Sequence, residues 1–230
     1  MKGLHSRESL SSAQREEMFL LLAEHFNGVT RERFESDLSE KNWVLEIRRA
    51  NRLVGFSTLL VCEHLFRGEW ITVVYSGDTI MSPEAWNSPV LARSWIAAVN
   101  EMRASHGHRP CYWLLLTSGF RTYRFLPVFW REFYPRYDQP TPADVQELIQ
   151  DLASRQYGTC YDSAAGVVRF AQPQQLRGAL AEVPPGRSAD PHIAYFLRRN
   201  PGHRAGDELV CLTEIDEGNL SRAGRRMVVA

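Results

Sequence analysis

Apolar residues in this chain return either every three to four positions or every second position, and the change of rhythm marks out the elements. In SSAQREEMFLLLAEHF the spacing of Met18, Leu21, Leu22 and Phe26 predicts a helix with one buried face. A capping box of Ser11 and Gln14 opens it and Gly28 closes it. Thr30 stands where it can cap a shorter helix, RERFESDLSE, with Phe34 and Leu38 facing inward. Strand patterns follow: NWVLEIRR, then LVGFSTLLVCEHLF after the ANRLVG turn, then ITVVYSGDTIM after RGEW. Connections this short join spatial neighbours, so the three strands predict an antiparallel meander.

The next helix is predicted from Ser88-Pro89 through Met102, with Leu91, Trp95, Val99 and Met102 on one face. Ser is a good N-cap, and Pro suits the first helical position. SHGHRP ends it, and CYWLLLTS is wholly apolar, as a strand buried on both faces of a sheet would be. GFRTYRFLPVFWREFYPRYD predicts a loop and a helix interrupted near Pro127, then an extended piece. Beyond Thr141, TPADVQELIQDLASRQY is a helix started by Pro142 and Asp144, and GVVRF is a short strand. PHIAYFLRRNPGHRAGDELVCLTEI reads as two apolar segments turned on NPGHRAGD, a hairpin. The expected division is a core over residues 1–140 and a C-terminal extension over 141–230 that completes or packs on the core sheet.

One strand breaks its own rule. Ile71, Val73 and Tyr75 alternate well, but Ser76-Gly77-Asp78-Thr79 then interrupts before Ile80-Met81 resumes the apolar run. Gly inside a strand marks a bulge or the close approach of another group. Composition adds little to this picture. At 44% hydrophobic and 23% charged, the 230-residue chain can form an ordinary core. Lys+Arg and Asp+Glu are 27 each, so bulk charge proposes neither a nucleic-acid nor a membrane partner. Cys62, Cys111, Cys160 and Cys211 lack metal-ligand spacing and read as thiols of a reducing compartment. With no leader pattern and no apolar run long enough for a bilayer, a cytoplasmic protein without a metal is expected. No GxSxG, P-loop or dinucleotide fingerprint occurs.

The stretch IMSPEAWNSPVLARSW, together with the element order over residues 12 to 138, resembles the GNAT superfamily of acyl-CoA-dependent N-acyltransferases. Ile80-Met81-Ser82-Pro83-Glu84 fits the end of that family's fourth strand. The resemblance implies an α/β fold, a mixed and mostly antiparallel sheet flanked by helices. It also implies acyl transfer from a phosphopantetheine thioester to a small-molecule amine or similar nucleophile, with Ile80, Met81, Asn87 and Ser88 toward the donor. The family's glycine loop is missing: Trp86-Asn87-Ser88-Pro89 stand in its place. Glycines there let backbone N–H groups approach a pyrophosphate, and Pro89 removes one such donor. Some family members that lack the loop, the autoinducer synthases among them, take acyl groups from carrier proteins. The donor is therefore expected to be acyl-CoA or an acyl carrier protein. The alternative class is a GNAT-like binding module without turnover. An aminoacyl-tRNA donor ranks lower, since no basic stripe is evident.

In the family the fourth strand carries a bulge and splays from the fifth, so the resemblance places Ser76 and Asp78 in the gap. Asp78 would orient or deprotonate the amine, or else simply satisfy bulge backbone groups. The family's thiolate acid is a Tyr after the fifth strand, which implies Tyr123, with Tyr134 as a rival. Arg121, Arg124, Arg131 and Arg136 recur among aromatics, as phosphate or carrier contacts or as solvated side chains. Glu63 and His64 point to opposite faces of their strand, so one can face the gap. His106 and His108 share an HxH spacing but read as loop residues without a third ligand.

Overall fold

A computed structural model describes residues 3–86, 88–107 and 109–228 of the chain. Eight strands form one sheet: β1 (Leu4–Ser6), β2 (Trp43–Arg49), β3 (Arg52–Phe66), β4 (Glu69–Met81), β5 (Cys111–Thr117), β6 (Tyr161–Asp162), β7 (Val167–Val168) and β8 (Glu208–Glu214). Their order across the sheet is β1-β2-β3-β4-β5-β8-β7-β6. Every neighbouring pair is antiparallel except β4 and β5, which run parallel. This is the expected α/β arrangement, a mixed and mostly antiparallel sheet flanked by helices.

The helices are α1 (Ser12–His25), α2 (Arg31–Ser39), α3 (Val90–Ser105), α4 (Phe120–Tyr123), α5 (Phe125–Phe129), α6 (Ala143–Tyr157), α7 (Pro191–Arg199) and α8 (Arg222–Val228). The Ser11–Gln14 capping box is present in full, and Thr30 caps α2 through the Arg33 N–H. One face of the sheet packs α3, α4, α5, α7 and α8 around Trp95, Trp113, Leu126 and Trp130. The opposite face packs α1 and α2 around Met18, Phe34 and Phe56, and α6 around Leu148, Leu152 and Val210.

Several expectations are corrected. PHIAYFLRR is the helix α7 and not a hairpin strand, because Asp190 accepts from the His192 and Ile193 N–H groups and Pro191 occupies the first turn. Helix α3 starts one residue later than expected, at Val90. Ser88 still receives the Val90 N–H on its hydroxyl at 3.3 Å. Strand β1 has too few residues to leave a periodic signal and was not anticipated; it pairs with β2 from Leu4↔Leu45 to Ser6↔Trp43. The segment beyond residue 140 enters the sheet directly, since β8 pairs with β5 from Leu209↔Thr117 to Glu214↔Tyr112. A small ribbon, Phe26–Asn27 with Gln175–Leu176, ties the end of α1 to this later segment. Among the described residues, no helix is long and apolar enough to cross a membrane.

Candidate active site

The interruption at Gly77-Asp78 is a bulge. Strand β3 offers one residue, Thr58, between Ser57 and Leu59, where β4 offers both Gly77 and Asp78 between Ser76 and Thr79. A Cβ on Gly77 would lie 2.5 Å from the Thr58 hydroxyl and 2.6 Å from Lys41 Cε, so no larger residue fits without movement. The extra residue resets the alternation of side chains. Val74 and Met81 pack with α3 on one face, whereas Tyr75 and Ile80 pack on the other. Counting back from Ile80 places Asp78 on the α2 face. Without the bulge it would point toward α3.

The β4–β5 ladder runs from Thr72↔Cys111 to Ser76↔Leu115 and stops there. Beyond Ser76 the two parallel strands diverge. A cavity of about 1030 Å³ fills the opening and is lined from both faces of the sheet. On the α3 face its walls include Trp86, Trp95, Trp113, Arg121 and Phe125. On the α2 face they include Arg33, Asp37, Lys41, Tyr157 and Glu208. Ser76 sits at the divergence, where its hydroxyl accepts from Trp113 Nε1 at 2.9 Å.

Carboxylates gather at the α2 end. Burial pushes the Asp78 carboxyl up to about 6, and Asp37 adds to this while Lys41 and Arg33 oppose it. Burial likewise pushes Glu208 up to about 7, with Asp78 and Asp37 adding and Arg33 opposing. Glu208 opens β8, opposite Val168 and next to the Leu209↔Thr117 pair. Its neighbours Leu209 and Val210 pack on the α3 and α6 faces respectively, so Glu208 shares Asp78's side of the sheet. The two carboxylates reach one cavity from strands far apart in sequence. Burial also raises the phenols of Tyr75 and Tyr157, which line the same end and stay protonated at neutral pH.

Of the residues expected from the sequence, Ser76, Asp78, Ile80, Met81 and Ser88 all line the cavity. Asn87 lies outside the described residues. The Met81 carbonyl is already taken by Trp86 Nε1 at 2.8 Å, so Trp86 folds back over the end of β4. Tyr123 does not join the others. It is fully buried, and its hydroxyl donates to the Pro135 carbonyl at 2.9 Å in the core behind α4. Because α4 begins immediately after β5, its inward face points at α7 and away from the divergence. Tyr134 instead donates to Glu132 at the surface. His64 bonds Asp151 of α6 at 2.6 Å and Glu63 pairs with Arg109, so both serve packing outside the cavity. His106 holds the Met102 carbonyl at 2.8 Å, and His108 lies outside the described residues. Glu208 was the functional candidate least visible in the sequence. Its one signal was a carboxylate opening an apolar strand, ELVCLTE.

No family model and no curated protein matches the chain. Solved structures similar to it include AAC(6')-Iy in complex with the bisubstrate analog CoA-S-monomethyl-acetylneamine, at 16% identity over 48% of this chain and 76% of that one, TM-score 0.38. A probable N-acyltransferase from Enterococcus faecalis V583 is 12% identical over 92% of this chain and 64% of its own, TM-score 0.42. Escherichia coli ElaA is 15% identical over 60% of this chain and 92% of its own, TM-score 0.39. At such low scores these likenesses add nothing to the strand order and the bulge, which carry the fold.

Proposed function

We propose that the chain transfers an acyl group from a phosphopantetheine thioester, on coenzyme A or on a carrier protein, to an amine. The observation that carries this reading is the cavity through the sheet at the β4–β5 divergence, with two carboxylates of raised pKa on one side of it. A thioester reaching in from the α3 face and an amine from the α2 face would meet beside Ser76 and Gly77. Beyond Ser76 the ladder to β5 has ended, which leaves strand N–H groups to polarise the thioester carbonyl.

In this reaction the amine nitrogen bonds to the carbonyl carbon and the carbon–sulfur bond breaks. The ammonium proton passes to Asp78 or Glu208, whose raised pKa values suit a base working near neutrality. The departing thiolate takes up a proton, either that same one or one from water. Tyr123 is given no role in this reading, since its hydroxyl donates to the Pro135 carbonyl behind α4.

The test is thiol release from a panel of acyl-CoA and acyl-carrier-protein thioesters, with and without a panel of amines. Amine-dependent thiol release supports the reading. Saturable binding of a thioester with no release for any pair would overturn it in favour of a binding module.

A further inference from the structure

The cavity mouth on the α3 face carries a cluster of cations that the glycine-loop pattern does not foresee. Arg121, Arg124 and Arg187 all line it, on the same side as Trp86, Ser88 and Pro89. Two of them are held in place. Arg121 donates to the Leu180 carbonyl at 2.9 Å, and its guanidinium lies 4.4 Å from the Trp86 ring and 4.5 Å from the Phe120 ring. Arg124 pairs with Asp190, whose other oxygen caps α7, so helix α7 fixes that guanidinium. Arg187 stands on an exposed turn closed by its N–H to the Pro184 carbonyl at 3.1 Å.

Charge at this mouth is unbalanced. The lining carboxylates Asp37, Glu40, Asp78 and Glu208 reach the cavity from β4, β8 and the region of α2, at its other end. Among the described residues, the carboxylate paired with this cluster is Asp190, through Arg124. Burial lowers the pKa of Arg121 and of Arg124, and in both cases Arg187 adds to the effect, as like charges held close together should. Several guanidinium forks converging on one opening suit an anion with many oxygens. Phosphate fits that description better than a single carboxylate.

We propose that Arg121, Arg124 and Arg187 form the seat for the phosphate of a phosphopantetheine-bearing donor, in place of a glycine loop at the start of α3. This rests on the acyl-transfer reading for the identity of the donor. The shared chemistry is a pantetheine phosphate, and it has two sources, coenzyme A or a carrier-protein arm. Trp86, which closes over the end of β4, forms with Arg121 the wall that replaces the missing loop.

Calorimetric titration of the full chain with coenzyme A, 4'-phosphopantetheine and inorganic pyrophosphate tests the seat, in wild type, Arg187→Ala, Arg187→Glu and Arg121→Met. Arg187 is exposed on a turn, so its variants keep the fold, and thermal melts verify this. The expected result is at least a tenfold weaker Kd in Arg187→Glu and a shallower dependence on salt. Binding of coenzyme A that falls with the arginines names the nucleotide as the source. Arginine-dependent binding of 4'-phosphopantetheine alone names the carrier-protein arm. Wild-type affinity for all three probes in every variant, or no binding of any probe to wild type, overturns the seat. Thiol release with an arginine-independent Kd overturns the seat and leaves acyl transfer standing. Arginine-dependent binding without thiol release for any thioester does the reverse.

Discussion

At the α3 mouth of the cavity, charge sits on two short helical turns and an exposed loop: Arg121, Arg124 and Arg187. At the α2 mouth it sits on strands, with Asp78 in the bulge of β4 and Glu208 at the head of β8. The first group consists of guanidinium groups, fixed cations over the pH range in which proteins work. The second group is held near the pH at which its charge changes. Binding an anion requires permanent charge and tolerates a flexible support. Moving a proton requires a tunable charge on a rigid one. One cavity has been given both by drawing its two ends from different kinds of structure.

The sharpest break in that comparison comes from neutralising the strand-borne end. Asp78→Asn combined with Glu208→Gln is expected to lower kcat by about 10²–10⁴-fold, the usual worth of a general base, with donor affinity unchanged. In the wild type the rate should rise with pH and level off above about 7, where Glu208 is ionised. Asp78 and Glu208 repel each other, so the two steps belong to the pair and the profile is broadened. A flat rate from pH 5 to 9 would remove both carboxylates from the chemistry.

Gly77→Ala attacks the rigid support itself. The added methyl meets Thr58 and Lys41 at under 3.0 Å, and crowding of this kind costs on the order of 1–3 kcal/mol. Urea unfolding would read that loss, and kcat should fall with it as Asp78 is displaced. A variant with wild-type stability and kcat would show that the bulge does not position Asp78.

Stability and activity should part company at the same end. Both carboxyls have folded-state pKa values above the ordinary range, so the fold prefers their protonated forms. Their stabilising contribution is fully present below about pH 4 and is lost as pH rises through about 6 for Asp78 and about 7 for Glu208. Asp78→Asn and Glu208→Gln should therefore each stabilise the protein at pH 8 by on the order of 1 kcal/mol, and much less at pH 4. Urea midpoints at the two pH values would measure this. The smallest expected effect concerns salt. Raising ionic strength should weaken donor binding at the exposed arginine end several-fold, yet leave the half-buried carboxylates' pH profile almost unmoved. Equal salt sensitivity at the two ends would erase the distinction between them.

Much of this was legible in the sequence where the signal is local. The Ser11–Gln14 box, the three-strand meander and the Gly77-Asp78 bulge each rest on residues within a few positions of one another. What was not legible depends on distant pairing. Glu208 reads only as the polar first residue of an apolar strand until β8 lies against β5, and only then does it share a cavity with Asp78. Tyr123 failed for a related reason. A four-residue helix has no periodicity from which to tell its inward face, and that face is decided by α7, some seventy positions on. The start of α7 was written locally in Asp190-Pro191, but the apolar run after it also fits a strand, and the cap decides between them.

The antiparallel pairing of β5 with β8 also has a consequence in time. Strand β5 ends at Thr117 and β8 begins at Glu208, so at about 5–20 residues per second the first leaves the ribosome roughly 5–20 s before its partner. Through that interval the apolar edge CYWLLLT has one side open, an invitation to foreign strands. Nascent chains stopped short of residue 208 should lean on chaperones and sediment without them, while chains that reach Glu214 should not. A pelleting assay on ribosome-released chains of the two lengths reads the difference. Residue 208 would then mark two arrivals at once, the sealing of the sheet and the second carboxylate of the cavity.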